Sequence, residues 1–246
     1  MDLGLEGRLA LVCGASSGLG LASAEALREE GAEVVMFARR GELLSDHARR
    51  LGATAVAGDL LRDADLERAV ETAVALHGRL DILVLNGGGP PASLGADVTA
   101  ESIGLAVDLA LHPFVTLTRS ALPHLRASGQ GRIIAISSVT AREPIGGIAL
   151  ANTLRPAVWG YLKTLAGELG ADGITVNAVA PGWIATSRTM EPFAGGPPRD
   201  VLAPIPLGRF GDPRELGDVV CFLASRRASY VNGAMIVVDG GVSRSL

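Results

Sequence analysis

Short runs of apolar residues, free of polar alternation, recur along the chain and are separated by longer amphipathic segments. Seven runs have this character: Arg8–Gly14, Val34–Phe37, Ala53–Val56, Ile82–Leu85, Arg132–Ser137, Ile174–Ala180 and Met235–Val238. Such runs are typical of parallel strands that are buried on both faces. Because helical patterns alternate with them, the chain is predicted to form βαβ units, with helices on both faces of one parallel sheet of about seven strands.

No linker or internal repeat interrupts this rhythm, so residues 1–246 are predicted to form one domain. The region richest in glycine and proline, Pro192–Pro213, lies late in the chain and is too short for a second domain. Both residue types disfavour helix interiors, so this composition predicts a mobile insertion or a lid.

The composition narrows the class of protein. Hydrophobic residues make up 48% of the 246 positions, which is enough for a substantial core. A net charge of −4 gives none of the positive potential that a nucleic-acid partner would require. No stretch of about 18 apolar residues is free of charge, glycine or proline, so no membrane partner is expected.

The amino-terminal sequence and the cysteines indicate the compartment. The first residues lack a basic segment followed by a long apolar run, so we expect no secretion signal. Cys13 and Cys221 form neither a disulfide framework nor part of a metal-ligand cluster, and no metal site is expected. A reduced, cytoplasmic location is the simplest interpretation.

A glycine-rich turn lies between the first predicted strand and the first predicted helix. It reads GxxxGxG, and its candidate cofactor-binding residues are Gly14, Ser16, Ser17, Gly18, Leu19 and Gly20. Glycine permits the tight turn and lets backbone N–H groups approach a pyrophosphate, which the positive end of the following helix also attracts. The turn therefore predicts a dinucleotide site in a doubly wound α/β Rossmann fold.

Two arginines, Arg39 and Arg40, end the second predicted strand. A protein that prefers NAD(H) carries an acidic residue there to bind the ribose 2′-hydroxyl, whereas arginine suits a 2′-phosphate. These residues favour NADP(H) over NAD(H). The alternative is a solvated pair of charges at the strand end.

With these features, the chain resembles the short-chain dehydrogenase/reductase family along essentially its whole length, and most closely the 3-oxoacyl-carrier-protein reductase group. Beyond the glycine turn, the matching segments are Gly58–Leu60, Leu85–Gly88, Asn177, Pro181–Gly182 and Val238–Gly241. The resemblance implies a nicotinamide dinucleotide cofactor, a small-molecule substrate of unknown identity and a homotetramer or homodimer. It implies that the segment 186–210 selects the substrate.

The resemblance also assigns further cofactor-binding residues. Asp59 is expected to hold the adenine, and the backbone after the sixth strand is expected to line the nicotinamide. The positions implied in this way are Asp59, Leu60, Asn86, Gly87, Gly88, Arg155, Pro181, Gly182 and Ile184.

The family's catalytic tetrad of Asn, Ser, Tyr and Lys is largely missing. In the family, the tyrosine transfers the proton, the lysine lowers the tyrosine pKa and binds the nicotinamide ribose, the serine orients the carbonyl, and the asparagine holds a water. Ser138 occupies the serine position. Ala110, Ala151 and Arg155 occupy the asparagine, tyrosine and lysine positions.

No other part of the chain supplies a replacement pair. Lys163 is the only lysine, Tyr161 and Tyr230 are the only tyrosines, and neither tyrosine has a lysine four residues later. Tyr161 lies six residues beyond Arg155, on a different helix face, so a core or interface position is expected. His112 stays open as a proton donor, with a surface or capping role as the alternative.

Two functions follow from this pattern. The first is an NADP(H)-dependent carbonyl or alcohol oxidoreductase that retains Ser138 and Arg155 as its catalytic residues and handles the proton in a non-standard way. Arg155 keeps the positive charge but cannot shuttle a proton, because its pKa lies above about 12. The second is a catalytically silent protein that binds the cofactor and acts as a sensor or as a subunit of an oligomer.

Overall fold

The computed structural model describes residues 2–193 and 195–245, and one seven-stranded parallel sheet lies at its centre. The strands are β1 Leu9–Cys13, β2 Glu33–Ala38, β3 Thr54–Ala57, β4 Ile82–Leu85, β5 Arg132–Ile136, β6 Thr175–Pro181 and β7 Met235–Val238. Their order is β3-β2-β1-β4-β5-β6-β7, and every neighbouring pair is parallel. The predicted fold class is confirmed, because each strand begins and ends within one residue of its apolar run.

Helices cover both faces of the sheet, as the βαβ pattern predicts. They are α1 Gly18–Glu29, α2 Gly41–Leu51, α3 Asp63–His77, α4 Ala100–Ala110, α5 His112–Ser128, α6 Ala149–Glu168, α7 Ser187–Met190, α8 Arg199–Leu202 and α9 Pro213–Ala224. One core layer joins α3, α5 and α6 to the sheet, and the other joins α1, α2 and α9. Alternate strand residues supply the two layers: Leu11 faces the first and Val12 the second.

The side of the sheet to which new strands are added changes between β1 and β4. From β1 the chain adds β2 and β3 on one side, and from β4 onward it adds strands on the other side. The loops that leave β1 and β4 therefore diverge at the carboxyl edge and leave a crevice, which is where ligands bind in open α/β sheets.

The helical run from Ala100 to Ser128 is long and apolar enough to cross a membrane by those two criteria alone. It divides at Leu111, because Pro113 has no N–H to continue the hydrogen-bond ladder of α4. Phe114 and Leu125 of α5 are buried in the core against the sheet. Packing on the sheet accounts for much of the apolar character of α5.

The amino edge of the sheet carries a buried carboxylate. Asp81 accepts hydrogen bonds from the Leu9 N–H at 2.9 Å, from Arg79 at 2.6 Å and from the Ser128 hydroxyl. Burial alone would raise the pKa of Asp81, but these donors and the nearby Arg8 charge hold it below its usual value. This cluster ties β1, β4 and α5 together on the side away from the crevice.

The segment 186–210 contains the short helices α7 and α8, and α8 lies within the Pro192–Pro213 region predicted as an insertion or a lid. Trp183 stacks on Phe210 with ring centroids 5.2 Å apart, which joins the two ends of this segment. Thr186 caps α7 by accepting a hydrogen bond from the Thr189 N–H. Ala194 lies outside the described residues.

Candidate functional site

A cleft of about 920 Å³ opens at the carboxyl edge of the sheet, where the loops that follow β1 and β4 diverge. Its walls come from the loops after β1, β2, β3, β4, β5 and β6, from α6 and from α7. The sequence-predicted residues that line it are Gly14, Ser16, Ser17, Gly18, Leu19, Arg39, Arg40, Leu60, Asn86, Gly87, Gly88, Ser138, Ala151, Arg155, Pro181, Gly182 and Ile184. The fold therefore brings both ends of the predicted site into one cleft.

The glycine turn is held by close backbone contacts. Gly14 and Gly18 have positive φ angles of 61° and 57°, which other residues rarely adopt. A β-carbon on Gly20 would lie 2.3 Å from the Gly14 carbonyl oxygen. The Asn86 amide donates to the Cys13 carbonyl at 3.2 Å. Gly20 and Asn86 thus shape the turn, and Gly20 does so from behind, without lining the cleft.

Arg40 connects the end of β2 to the glycine turn. Its guanidinium donates hydrogen bonds to the hydroxyls of Ser16, at 3.2 Å, and of Ser17. Arg39 is exposed beside it and also lines the cleft. The result is a positively charged corner with two hydroxyl groups and, among the lining residues, no carboxylate.

Asp59 does not line the cleft, contrary to its expected contact with adenine. Its carboxylate accepts a hydrogen bond from the Leu61 N–H at 3.1 Å, and its own N–H donates to Asp65 at 3.0 Å. These local bonds turn the side chain back onto its own loop. Gly58 and Leu60 form this part of the wall.

At the other end of the cleft, the four tetrad positions separate into two groups. Ser138 and Ala151 line the cleft, and the Ser138 hydroxyl accepts a hydrogen bond from the Thr140 N–H at 3.1 Å. Ala110 is buried, with 1% of its surface exposed, in a small cluster with Leu150 and Leu154. An apolar contact between α4 and α6 thus fills the place where an asparagine amide would reach the site.

Arg155 extends from α6 into the same end of the cleft. Its Nη1 lies 3.5 Å from the Ile136 carbonyl, and it forms no ion pair with any residue in the two described ranges. Burial, and secondarily the charge of Arg188, lower the pKa of Arg155 to about 10. It therefore remains protonated at neutral pH.

The described residues that line the cleft include no His, Asp, Glu, Lys, Tyr or Cys. Tyr161 packs against the hydrophobic core, which confirms its expected position, and burial raises its pKa. Lys163 donates to the Gly233 carbonyl at 2.6 Å, and His112 lies 3.1 Å from Asp63 on the surface. Burial raises the pKa of Cys13, behind the glycine turn, to about 12.

The structure adds residues that the sequence interpretation missed. Arg188, Gly89 and Ser137 line the end of the cleft that Arg155 enters. Arg188 lies two residues beyond the Thr186 cap of α7, a position that no periodicity marks. Glu143 accepts hydrogen bonds from the N–H groups of Arg244 and Ser245. It ties the carboxyl-terminal segment to the loop after β5.

Comparison with known proteins gives consistent similarities. A family model described as enoyl-(acyl carrier protein) reductase matches residues 14–243. Dehydrogenase/reductase SDR family member 4 of Oryctolagus cuniculus is 32% identical over 249 residues, which cover 98% of this chain and 96% of that protein. The 3-oxoacyl-[acyl-carrier-protein] reductase FabG of Vibrio cholerae serotype O1 is 34% identical over 242 residues, or 98% and 99% of the two chains.

A solved structure extends the similarity to three dimensions. The L-sorbose reductase of Gluconobacter frateurii, in complex with NADPH and L-sorbose, superposes with a TM-score of 0.93 at 33% identity. The alignment covers 100% of both chains.

Proposed function

The chain belongs to the short-chain dehydrogenase/reductase family, and from this premise we propose that it is an NADP(H)-dependent oxidoreductase that lacks a side-chain proton donor. We choose NADP(H) as the cofactor because of the positively charged corner formed by Arg39, Arg40, Ser16 and Ser17. Its two guanidinium groups and two hydroxyls are suited to a phosphate on the adenosine ribose.

The chain's own residues fit a dinucleotide along the whole cleft. Gly14, Ser16, Ser17, Gly18 and Leu19 line the cleft where α1 begins, and backbone N–H groups of this turn would bind a pyrophosphate there. Arg155 would bind the nicotinamide ribose, and the backbone from Pro181 to Ile184 would line the nicotinamide. When bound, the nicotinamide supplies or accepts a hydride.

The residues around the reaction centre can orient and stabilise a substrate, but they cannot exchange a proton with it. The Ser138 hydroxyl can donate a hydrogen bond to a substrate oxygen, and Arg155 can stabilise negative charge on that oxygen. Neither releases a proton near neutral pH. The proton therefore exchanges with solvent in the open cleft, at a cost of roughly 10²–10⁴-fold in rate relative to a positioned donor.

The absence of a titratable lining residue also favours the second candidate, a catalytically silent protein that binds NADP(H) as a sensor or an oligomer subunit. Exposed Ile103, Leu105 and Val115 on α4 and α5 support assembly as a homodimer or homotetramer, which is part of this proposal. The substrate-selecting role of the segment 186–210 belongs to the first candidate, and a cytoplasmic location fits either one.

The cofactor proposal is tested by fluorescence titration with NADPH and NADH. We expect the double variant Arg39→Ala/Arg40→Ala to lose about ten-fold or more in NADPH affinity while NADH affinity changes little, because only NADPH carries the extra phosphate. Arg119→Ala, which removes an exposed arginine on α5, serves as the control and should leave both affinities unchanged. Equal losses for the two cofactors would contradict the assignment.

The two candidates are separated by measuring NADPH oxidation with panels of ketones and 3-oxoacyl thioesters. Slow turnover that falls further in Ser138→Ala supports the enzyme. Tight NADPH binding with no turnover above background supports the silent protein. A chain that binds neither NADPH nor NADH contradicts both.

A further inference from the structure

Two arginines from different elements converge on one point at the nicotinamide end of the cleft. A β-carbon built on Gly89 would lie 3.5 Å from Nη2 of Arg155 and 3.7 Å from Nη1 of Arg188. Arg155 comes from α6, and Arg188 comes from α7 in the segment after β6. Because residue 89 is a glycine, the space between the two guanidinium groups is open to a ligand.

No carboxylate neutralises these two charges. Neither Arg155 nor Arg188 takes part in an ion pair within the described ranges, although most other arginine contacts in the protein are with carboxylates or backbone carbonyls. Arg188 contributes to the lowered pKa of Arg155, so the two cations repel each other. A bound anion would relieve both that repulsion and the desolvation of Arg155.

A buried hydroxyl near this point also lacks a partner. Ser137 lines the cleft with 4% of its surface exposed, and its hydroxyl has no hydrogen-bond partner among the described residues. It directly follows Ile136, whose carbonyl Arg155 approaches. Buried hydroxyls are normally paired, and this one is unpaired within the wall of the cleft.

The convergence is separate from the corner assigned to the cofactor phosphate. Arg39 and Arg40 lie at the end of β2, whereas Arg155 and Arg188 lie beside Ser138 and Ala151. In the short-chain dehydrogenase/reductase family, the end of the cleft at the serine and tyrosine positions receives the substrate. We propose that Arg188 and the Nη2 edge of Arg155 together bind an anionic group of the substrate, a carboxylate or a phosphate, while the other N–H groups of Arg155 bind the nicotinamide ribose. The substrate is then an acidic carbonyl compound or the corresponding hydroxy acid or phosphate.

This proposal rests on the proposed function for the position of the cofactor, so the experiment first saturates the protein with NADP⁺ and records that binding. Calorimetric titrations then compare two matched pairs, acetoacetate with acetoacetamide and dihydroxyacetone phosphate with dihydroxyacetone. At least one anion should bind about ten-fold or more tightly than its neutral partner. The pair that shows the preference distinguishes a carboxylate from a phosphate.

Arg188→Gln should abolish this preference and leave NADP⁺ binding intact, because it removes the charge of an exposed side chain and keeps a polar amide. Arg199→Gln, in exposed α8 of the same segment, is the matched control and should retain the preference. Gly89→Ala should weaken anion binding, since its β-carbon fits at ordinary contact distance but occupies the open point.

Several results would overturn the proposal. They are equal binding within both pairs, no binding of either anion, or a preference that survives Arg188→Gln. A preference that exists only without NADP⁺ would instead assign the two arginines to the cofactor. If NADP⁺ itself does not bind, the proposed function fails, and the same titrations on the free protein still decide whether Arg188 binds an anion.

Discussion

Ala151 and Arg155 are the residues that change the chemistry of this cleft most. Ala151 places no titratable group at the position expected for the proton donor, and Arg155 keeps a positive charge at the position expected for the lysine. Both positions are on α6 and both line the cleft, so the scaffold that would position a tyrosine–lysine pair is still present.

At this scale, the double variant Ala151→Tyr/Arg155→Lys should raise NADPH-dependent reduction of simple ketones by about 10²-fold or more, because it restores a positioned proton donor with a depressed pKa. The assay is NADPH oxidation by absorbance. Ala151→Phe/Arg155→Lys, which has the ring but no hydroxyl, should stay near the wild-type rate. No gain in a variant that still binds NADPH would argue that another feature blocks the reaction.

The double variant Ala151→Tyr/Arg155→Lys leaves Ala110 unchanged because of how Ala110 packs. It is buried against Leu150 and Leu154, so an asparagine there would place an amide in an apolar contact between α4 and α6.

At the scale of elements, the contact between α1 and α9 depends on one glycine. A β-carbon on Gly217 would lie 2.6 Å from the Ala22 carbonyl oxygen, a backbone atom that cannot move without shifting α1. We expect Gly217→Ala to lower the free energy of unfolding by about 1–3 kcal/mol, measured by urea denaturation.

Gly160→Ala is the matched control on α6, where an added β-carbon meets nothing within 4 Å. It should raise the free energy of unfolding by about 0.5–1 kcal/mol, because alanine favours helix over glycine. A Gly217→Ala protein as stable as this control would show that the α1–α9 interface is loose.

The edge of the sheet opposite the cleft contributes stability that depends on pH. Asp81→Asn should lower the free energy of unfolding by about 1–3 kcal/mol near neutral pH, because it weakens charge-assisted hydrogen bonds to a buried carboxylate. Since the folded-state pKa of Asp81 is depressed, this contribution is complete above about pH 4 and is lost as the pH falls through the folded-state value.

Urea denaturation of wild type and Asp81→Asn at several pH values would test this pH dependence of the free energy of unfolding. The stability difference between wild type and Asp81→Asn should shrink in acid, while Asp97→Asn, an exposed carboxylate, should show little difference at any pH. A difference for Asp81→Asn that is constant with pH would mean that its charge is not the source.

At the scale of the whole molecule, the sheet was predictable because its seven strands are short and mostly apolar, a pattern typical of a buried parallel sheet. The positions of the glycine turn and of the arginines after β2 at the cleft were predictable, because each directly follows a strand at the carboxyl edge of the sheet. The orientation of the Asp59 side chain was not predictable from the sequence, because its carboxylate accepts a local hydrogen bond from the Leu61 N–H. Arg188 was missed because it approaches Gly89 and Arg155 only when the segment after β6 folds over the cleft.

The central claim is that this cleft binds NADP(H) while offering no side-chain proton donor, and a crystal structure of the protein with NADP⁺ tests it most directly. We predict that the 2′-phosphate contacts Arg39 or Arg40, and that the nicotinamide C4 faces Ser138 and Ala151 with no Tyr, His, Lys, Asp, Glu or Cys side chain within hydrogen-bond reach of a substrate there. A 2′-phosphate elsewhere, or a titratable side chain beside C4, would contradict the account.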